Sequence, residues 1–207
     1  MSREMILRRV RAATPDTGKP TWPVFSAPES LSSSGATAET RFRSAAVAKG
    51  VTLVDVPERA RLPEEVARAL VPAPGRRRTL RVNDPALTSL RWQAAGIDVL
   101  TGTAGADDDA ALSRAVAGVA ETGTVVLASE PANPALYGFL PVTHLVTLER
   151  ASILGTFEDT LALLRTLYGR NLPRTLNFIS GASRTGDIGG RIVHGAQGPA
   201  RLIVFVL

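Results

Sequence analysis

The sequence predicts a three-layer α/β fold built on a largely parallel sheet. Apolar runs of strand length recur along the 207-residue chain, at 51–56, 97–100, 124–128, 142–148 and 202–207. Segments with the apolar spacing of helices lie between several of them. The run at 124–128 is almost continuously apolar, as a strand covered on both faces is. Strands alternating with helices give a layered α/β architecture with parallel pairing. A chain of this length forms one domain, burying about 70% of the surface its unfolded form exposes.

The elements follow in order. Residues 1–13 read as a basic amphipathic helix with Met5, Ile6 and Val10 on one side. Pro15, Gly18, Pro20 and Pro23 then break regularity, so 14–36 reads as a linker or an arm that orders on a partner. The chain therefore divides into an N-terminal helix and arm, 1–38, and an α/β domain, 39–207. A helix over 39–49 ends at Gly50, which supplies the C′ position. The strand at 51–56 precedes a short helix over 63–70, started by Pro63. A strand at 79–82, a helix over 85–95 stopped by Gly96 and a strand at 97–100 come next. Asp107, Asp108 and Asp109 stand before an alanine-rich segment. The sequence predicts a helix there to Val119, because acids complement the unpaired N–H groups of a first turn. Strands at 124–128 and 142–148 precede a helix over 158–168 that carries Leu161, Leu164 and Leu167 at helical spacing. Strands at 176–179 and 202–207 close the chain.

Composition removes several chemistries. The chain has no cysteine, which excludes disulfides, a thiolate nucleophile, Cys-ligated zinc and any cofactor bound through cysteine, iron–sulfur clusters included. It fits a cytoplasmic location. The start lacks the apolar core of a signal peptide, and no run is long enough for a membrane span. The formal net charge is +5, mostly from arginine, with clusters at Arg8, Arg9 and Arg11 and at Arg76, Arg77 and Arg78. Such clusters are most simply solvated faces. Two tyrosines and two tryptophans, without basic–aromatic interleaving, make nucleic acid an unlikely partner.

Three loops carry the candidate chemistry. The first is Ala120-Glu121-Thr122-Gly123-Thr124. Glu121 is a candidate acid–base group beside a glycine that admits close approach, and Thr122 and Thr124 add hydroxyls. The same residues also make ordinary capping turns. The second is Ser180-Gly181-Ala182-Ser183-Arg184-Thr185-Gly186-Asp187, read as a loop after a strand. Its N–H groups can form an anion nest, Ser180, Ser183 and Thr185 supply hydroxyls, and Arg184 can hold a carboxylate or phosphate. Asp187 can orient Arg184 or cap a turn, so an internal ion pair is the competing reading. The third is His194-Gly195-Ala196-Gln197-Gly198-Pro199, where His194 is a candidate acid–base group. Two histidines far apart, His144 and His194, lack metal-ligand spacing, so no metal site is expected. Walker, GxGxxG and Gly-x-Ser-x-Gly motifs are absent.

These residues resemble the LutC-like, lactate-utilisation protein C group of the LUD-domain family. The likeness rests on Glu121-Thr122-Gly123-Thr124, on Pro141 and His144, on the segment from Ser180 to Ile188, and on Gly195-Ala196-Gln197-Gly198-Pro199. It implies a fold similar to the ribose-5-phosphate isomerase, glucosamine-phosphate deaminase and CoA-transferase (NagB/RpiA/CoA-transferase-like) group. It also implies membership in a three-component system that oxidises L-lactate to pyruvate, whose other members carry iron–sulfur clusters. A chain without cysteine matches the third, cluster-free member. One departure stands out: Gln197 occupies the place of a family histidine in Gly-x-His-Gly-Pro, with His194 nearby. Glutamine is no general base near neutral pH.

Two functions remain open. The first is an accessory component of lactate oxidation that binds a small anionic ligand and iron–sulfur protein partners. Ser183, Arg184 and Thr185 would then hold the anion, with Glu121 and His194 beside it. Gly123, Gly181 and Gly198 would give backbone access, and Gln197 would add an amide. The second is a stand-alone isomerase- or transferase-type enzyme acting on a phosphorylated or CoA-linked metabolite.

Overall fold

The structure is a computed structural model, which describes residues 3–13, 35–70, 77–105, 108–188 and 191–207. Helix α1 spans Arg3–Ala13 and α2 spans Ala36–Ala48. Strand β1 (Thr52–Asp55), α3 (Leu62–Ala69), β2 (Arg78–Arg81), α4 (Pro85–Thr88) and β3 (Ile97–Leu100) follow. Next come β4 (Ala110–Arg114), β5 (Ala117–Val119), β6 (Thr124–Ala128), β7 (Thr143–Leu148), β8 (Ile153–Leu154) and α5 (Phe157–Tyr168). The chain closes with β9 (Leu176–Ile179), β10 (Arg184–Ile188), β11 (Arg191–His194) and β12 (Arg201–Val206).

The large sheet has six parallel strands in the order β1-β12-β7-β4-β2-β3. The expected parallel α/β architecture is therefore present. A four-stranded mixed sheet, β8-β5-β6-β9, lies apart from it, and β10 and β11 form a hairpin. The core explains the layering. On one face of the large sheet, Val146, Leu148, Leu202, Val204 and Val206 pack with Ala38, Phe42 and Ala46 of α2 and with Val125 and Leu127 of the small sheet. On the other face, Leu145, Ile203 and Phe205 pack with Leu62 and Val66 of α3. Val126 points the opposite way from Val125 and meets Leu164 of α5. Each valine, leucine, isoleucine or phenylalanine among them contributes about 2 kcal/mol when fully buried.

Three sequence expectations change. The alanine-rich segment is not a helix but two strands, β4 and β5. Alanine favours helices, yet β4 sits between β7 and β2, and pairing along a buried sheet overrides propensity. Asp108, expected at a helix start, instead binds the Arg81 guanidinium through two hydrogen bonds of 3.0 and 2.8 Å. The helix over 85–95 breaks after Thr88 and resumes only as a 3-10 turn, Gln93–Ala95. Thr88 and Ser89 hydroxyls bond back to Pro85 and Ala86 carbonyls, which competes with helix continuation. Trp92 then turns inward, donating from Nε1 to the Leu87 carbonyl at 2.7 Å. Finally, Arg184 to Ile188 is a hairpin strand and not a loop. The expectation for 14–34 lies outside the described residues. Among those described, no helix is long and apolar enough to cross a membrane.

Candidate functional site

The three loops singled out by sequence converge, and glycines explain how. Lys49 caps the C-terminal end of α2, and Gly50 follows with a φ of 76°. The Thr122–Gly123 turn lies flush against this helix. A Cβ on Gly123, whose φ is 62°, would stand 2.2 Å from the Ala46 backbone nitrogen. Lys49 Nζ donates to the Thr122 carbonyl at 2.6 Å and to Ser180 Oγ at 2.7 Å. The Thr122 and Thr124 hydroxyls are 2.7 Å apart, and Thr124 Oγ1 donates to Ser180 Oγ at 3.1 Å. A chain of hydroxyls thus joins α2, the β5–β6 turn and the end of β9 around one ammonium.

Beyond Ser180 the chain passes into a cavity of about 230 Å³. Its polar lining is Ser180, Ser183, Gln197 and His144, and its apolar walls include Phe139, Phe178, Ile179 and Leu202. Parallel sheets usually place ligands at the carboxyl ends of their strands. Here His144 and Leu202 stand at the amino ends of β7 and β12, while Ile179 stands at the carboxyl end of β9. The β10–β11 hairpin holds the two late motifs together. Arg184 pairs with His194 and Thr185 with Val193. Ser183 N donates to the Pro199 carbonyl and Gly195 N to the Ser183 carbonyl, both at 2.9 Å.

His144 is 1% exposed. Its Nε2 lies 3.0 Å from Ser113 Oγ, and its buried Nδ1 has no hydrogen-bond partner. Burial lowers its pKa to about 4, so the ring is neutral at physiological pH. Among the described residues no cluster of histidines and carboxylates suits a metal.

The expected site residues divide accordingly. Ser180, Gly181, Ser183, Gln197 and Gly198 line the cavity. Thr122, Gly123 and Thr124 form the polar wall behind Ser180. Arg184 Nη2 donates to the Lys49 carbonyl at 2.8 Å, at the carbonyl end of α2. Glu121 Oε1 accepts the Phe157 N–H at 2.9 Å, at the start of α5. His194 is exposed on β11, outside the cavity lining, so Gln197 and not His194 presents its side of that motif to the cavity. Thr185 is in β10, as is Asp187, whose side chain lies outside the described residues. Sequence reasoning did not single out Lys49, and it named His144 only through the family resemblance and not as a site residue. Their signals were slight: Lys49 is one of two lysines in an arginine-rich chain, and His144 interrupts an apolar strand.

Fold and site together define a layered α/β domain whose cavity sits between a parallel sheet, a mixed sheet and a hairpin. The chain belongs to the LUD domain family, whose profile matches residues 102–207. Over 99 residues it is 30% identical to the uncharacterized protein NMB1437 of Neisseria meningitidis serogroup B, covering 48% of this chain and 42% of that one. It is also 30% identical over 91 residues to lactate utilization protein C of Bacillus pumilus, covering 43% and 38%. The match thus spans well under two thirds of either relative. A crystal structure of a DUF162 family protein from Deinococcus radiodurans is similar at a TM-score of 0.64 and 25% identity, covering 83% of this chain and 96% of that one.

Proposed function

We propose that the protein is an accessory component of a lactate-utilisation system and that it binds a small anionic ligand in the cavity beside Ser180. Relatives named lactate utilization protein C support the setting. The observation that carries the ligand reading is the Lys49 ammonium, 2.7 Å from the cavity-lining Ser180 hydroxyl. It brings positive charge to a cavity whose lining contains no carboxylate among the described residues. The chain has no cysteine to hold a redox cluster, so the oxidation is carried out by iron–sulfur partner subunits. Exposed Ile6 and Leu7 on α1 offer an apolar surface for docking. The stand-alone isomerase or transferase reading is less favoured, because it needs Glu121 at the ligand and that carboxylate holds the Phe157 N–H.

The test is L-lactate oxidation by the iron–sulfur components with wild type, without this protein, and with Lys49→Met. Dependence on the protein, reduced by the substitution, supports the proposal. Oxidation indifferent to its omission rejects it.

A further inference from the structure

We infer that His144 reads the buried end of the ligand by donating a hydrogen bond from Nδ1, and that this ligand is a short-chain monocarboxylate and not a phosphorylated metabolite. The inference rests on the cavity reading proposed above and specifies its ligand.

Hydrogen-bond accounting sets the tautomer. A neutral imidazole has one donor nitrogen and one acceptor. His144 Nε2 contacts Ser113 Oγ at 3.0 Å, and both residues are buried. If Nε2 carried the proton, the Ser113 hydrogen would need another acceptor and Nδ1 would be a bare acceptor. If Ser113 donates to Nε2, the hydroxyl hydrogen is satisfied and Nδ1–H is the one donor left over. Buried donors without partners are costly, and native proteins keep few of them. A ligand oxygen supplies the partner. The ring is neutral, since burial lowers its pKa to about 4.

Gly138 and His144 line the cavity together: the place a Cβ would take on Gly138 lies 3.3 Å from Ile179 Cδ1, 3.5 Å from His144 Cε1 and 3.8 Å from Nδ1. The rest of the cavity fixes the ligand class. Phe139, Phe178, Ile179 and Leu202 suit a short alkyl group. The flanking cation is Lys49, while Arg184 is turned to the Lys49 carbonyl. One ammonium suits one carboxylate. A phosphate dianion calls for several converging N–H donors or a bidentate arginine. The acid therefore lies with its carboxylate toward Lys49 and Ser180, and with an uncharged carbonyl or hydroxyl oxygen toward Nδ1.

Long-range proton–nitrogen correlation spectra of the full-length protein read the tautomer directly. The Nδ1–H form is expected, and the Nε2–H form overturns the inference. Pyruvate, L-lactate and inorganic phosphate are then added as probes. Pyruvate or L-lactate is expected to move the His144 resonances without a matching effect of phosphate. Movement by phosphate alone, or by none of the three, overturns the ligand class. His144→Phe is expected to weaken acid binding roughly tenfold or more, whereas His144→Asn, which keeps an N–H donor, stays within a few-fold. Equal affinity of folded wild type and His144→Phe overturns the inference. Should the Phe variant not fold, Ser113→Ala replaces it: the Nδ1–H population and acid affinity are expected to fall together, and unchanged values overturn the inference. Lactate oxidation that ignores the protein, while pyruvate still moves His144, rejects the lactate-utilisation role and supports this inference.

Discussion

Lys49 and Ser180 lie 131 residues apart in sequence, yet the lysine Nζ donates to the serine hydroxyl at 2.7 Å. This contact joins the end of α2 to the end of β9 and sets a positive charge at the edge of the cavity. Lys49→Met removes the charge and keeps the length of the stem. Affinity for a small carboxylate is expected to fall ten- to hundredfold, on the order expected for a hydrogen bond to a charged group. Stability should change by less than about 1 kcal/mol, because the lysine is only half-buried. Titration calorimetry and thermal unfolding of the same sample check both.

Gly123 is predicted to be the least replaceable glycine of the site. Its positive φ and the 2.2 Å approach to Ala46 leave no room for a methyl group. Gly123→Ala should destabilise by about 3 kcal/mol or more. Gly96→Ala, at a φ of 72° with nothing within 4 Å of the added Cβ, should cost only about 1 kcal/mol. Urea unfolding of the two variants gives the comparison, and equal losses would contradict the packing argument.

Glu121 is predicted to act on stability and not on ligand affinity. Its carboxylate accepts the Phe157 N–H, so Glu121→Ala leaves that donor at the start of α5 without its acceptor. A loss of about 1 kcal/mol is expected, in the range of a removed helix cap. Acid binding measured in parallel should be unchanged. A large loss of affinity at constant stability would return Glu121 to the ligand.

Stability should depend on pH through His144. Its folded pKa, about 4, lies below the unfolded value near 6.5, so the unfolded chain binds the extra proton between them. The contribution is complete above about pH 6.5 and is lost as pH falls toward 4, a total of roughly 3 kcal/mol. Glu39 and Asp55 add a second acid-sensitive contribution. Burial alone would raise Glu39, but hydrogen bonds and charge from Arg150 and Arg43 outweigh it, and hydrogen bonding from Arg43 is the largest influence on Asp55. Both carboxylates are thereby held below their ordinary range, so their share persists above the unfolded carboxylate values and disappears only as pH falls through the lowered ones. Urea unfolding from pH 7 to pH 4 should show the histidine slope in wild type and a flatter profile in His144→Asn.

Much of the fold was legible because burial repeats along the chain. The runs at 124–128, 142–148 and 202–207 are apolar since both faces of β6, β7 and β12 are covered. The loops around Thr122, Ser183 and Gln197 were also legible, because small polar residues and glycines cluster where backbones meet. The strands β4 and β5 were not, since alanine signals helix locally and only their neighbours in the sheets make them strands. Lys49 was hidden because it reaches Ser180 through tertiary packing of α2. His144 was legible only through the family resemblance, because a single polar residue in an apolar strand says nothing of its contact with Ser113 on β4.

The most direct measurement is calorimetric titration of the full chain with L-lactate and pyruvate, for wild type and Lys49→Met. The account predicts one-to-one binding of a small acid that weakens at least roughly tenfold in the variant. Absence of binding to the folded wild type, or equal affinity in both proteins, would contradict it.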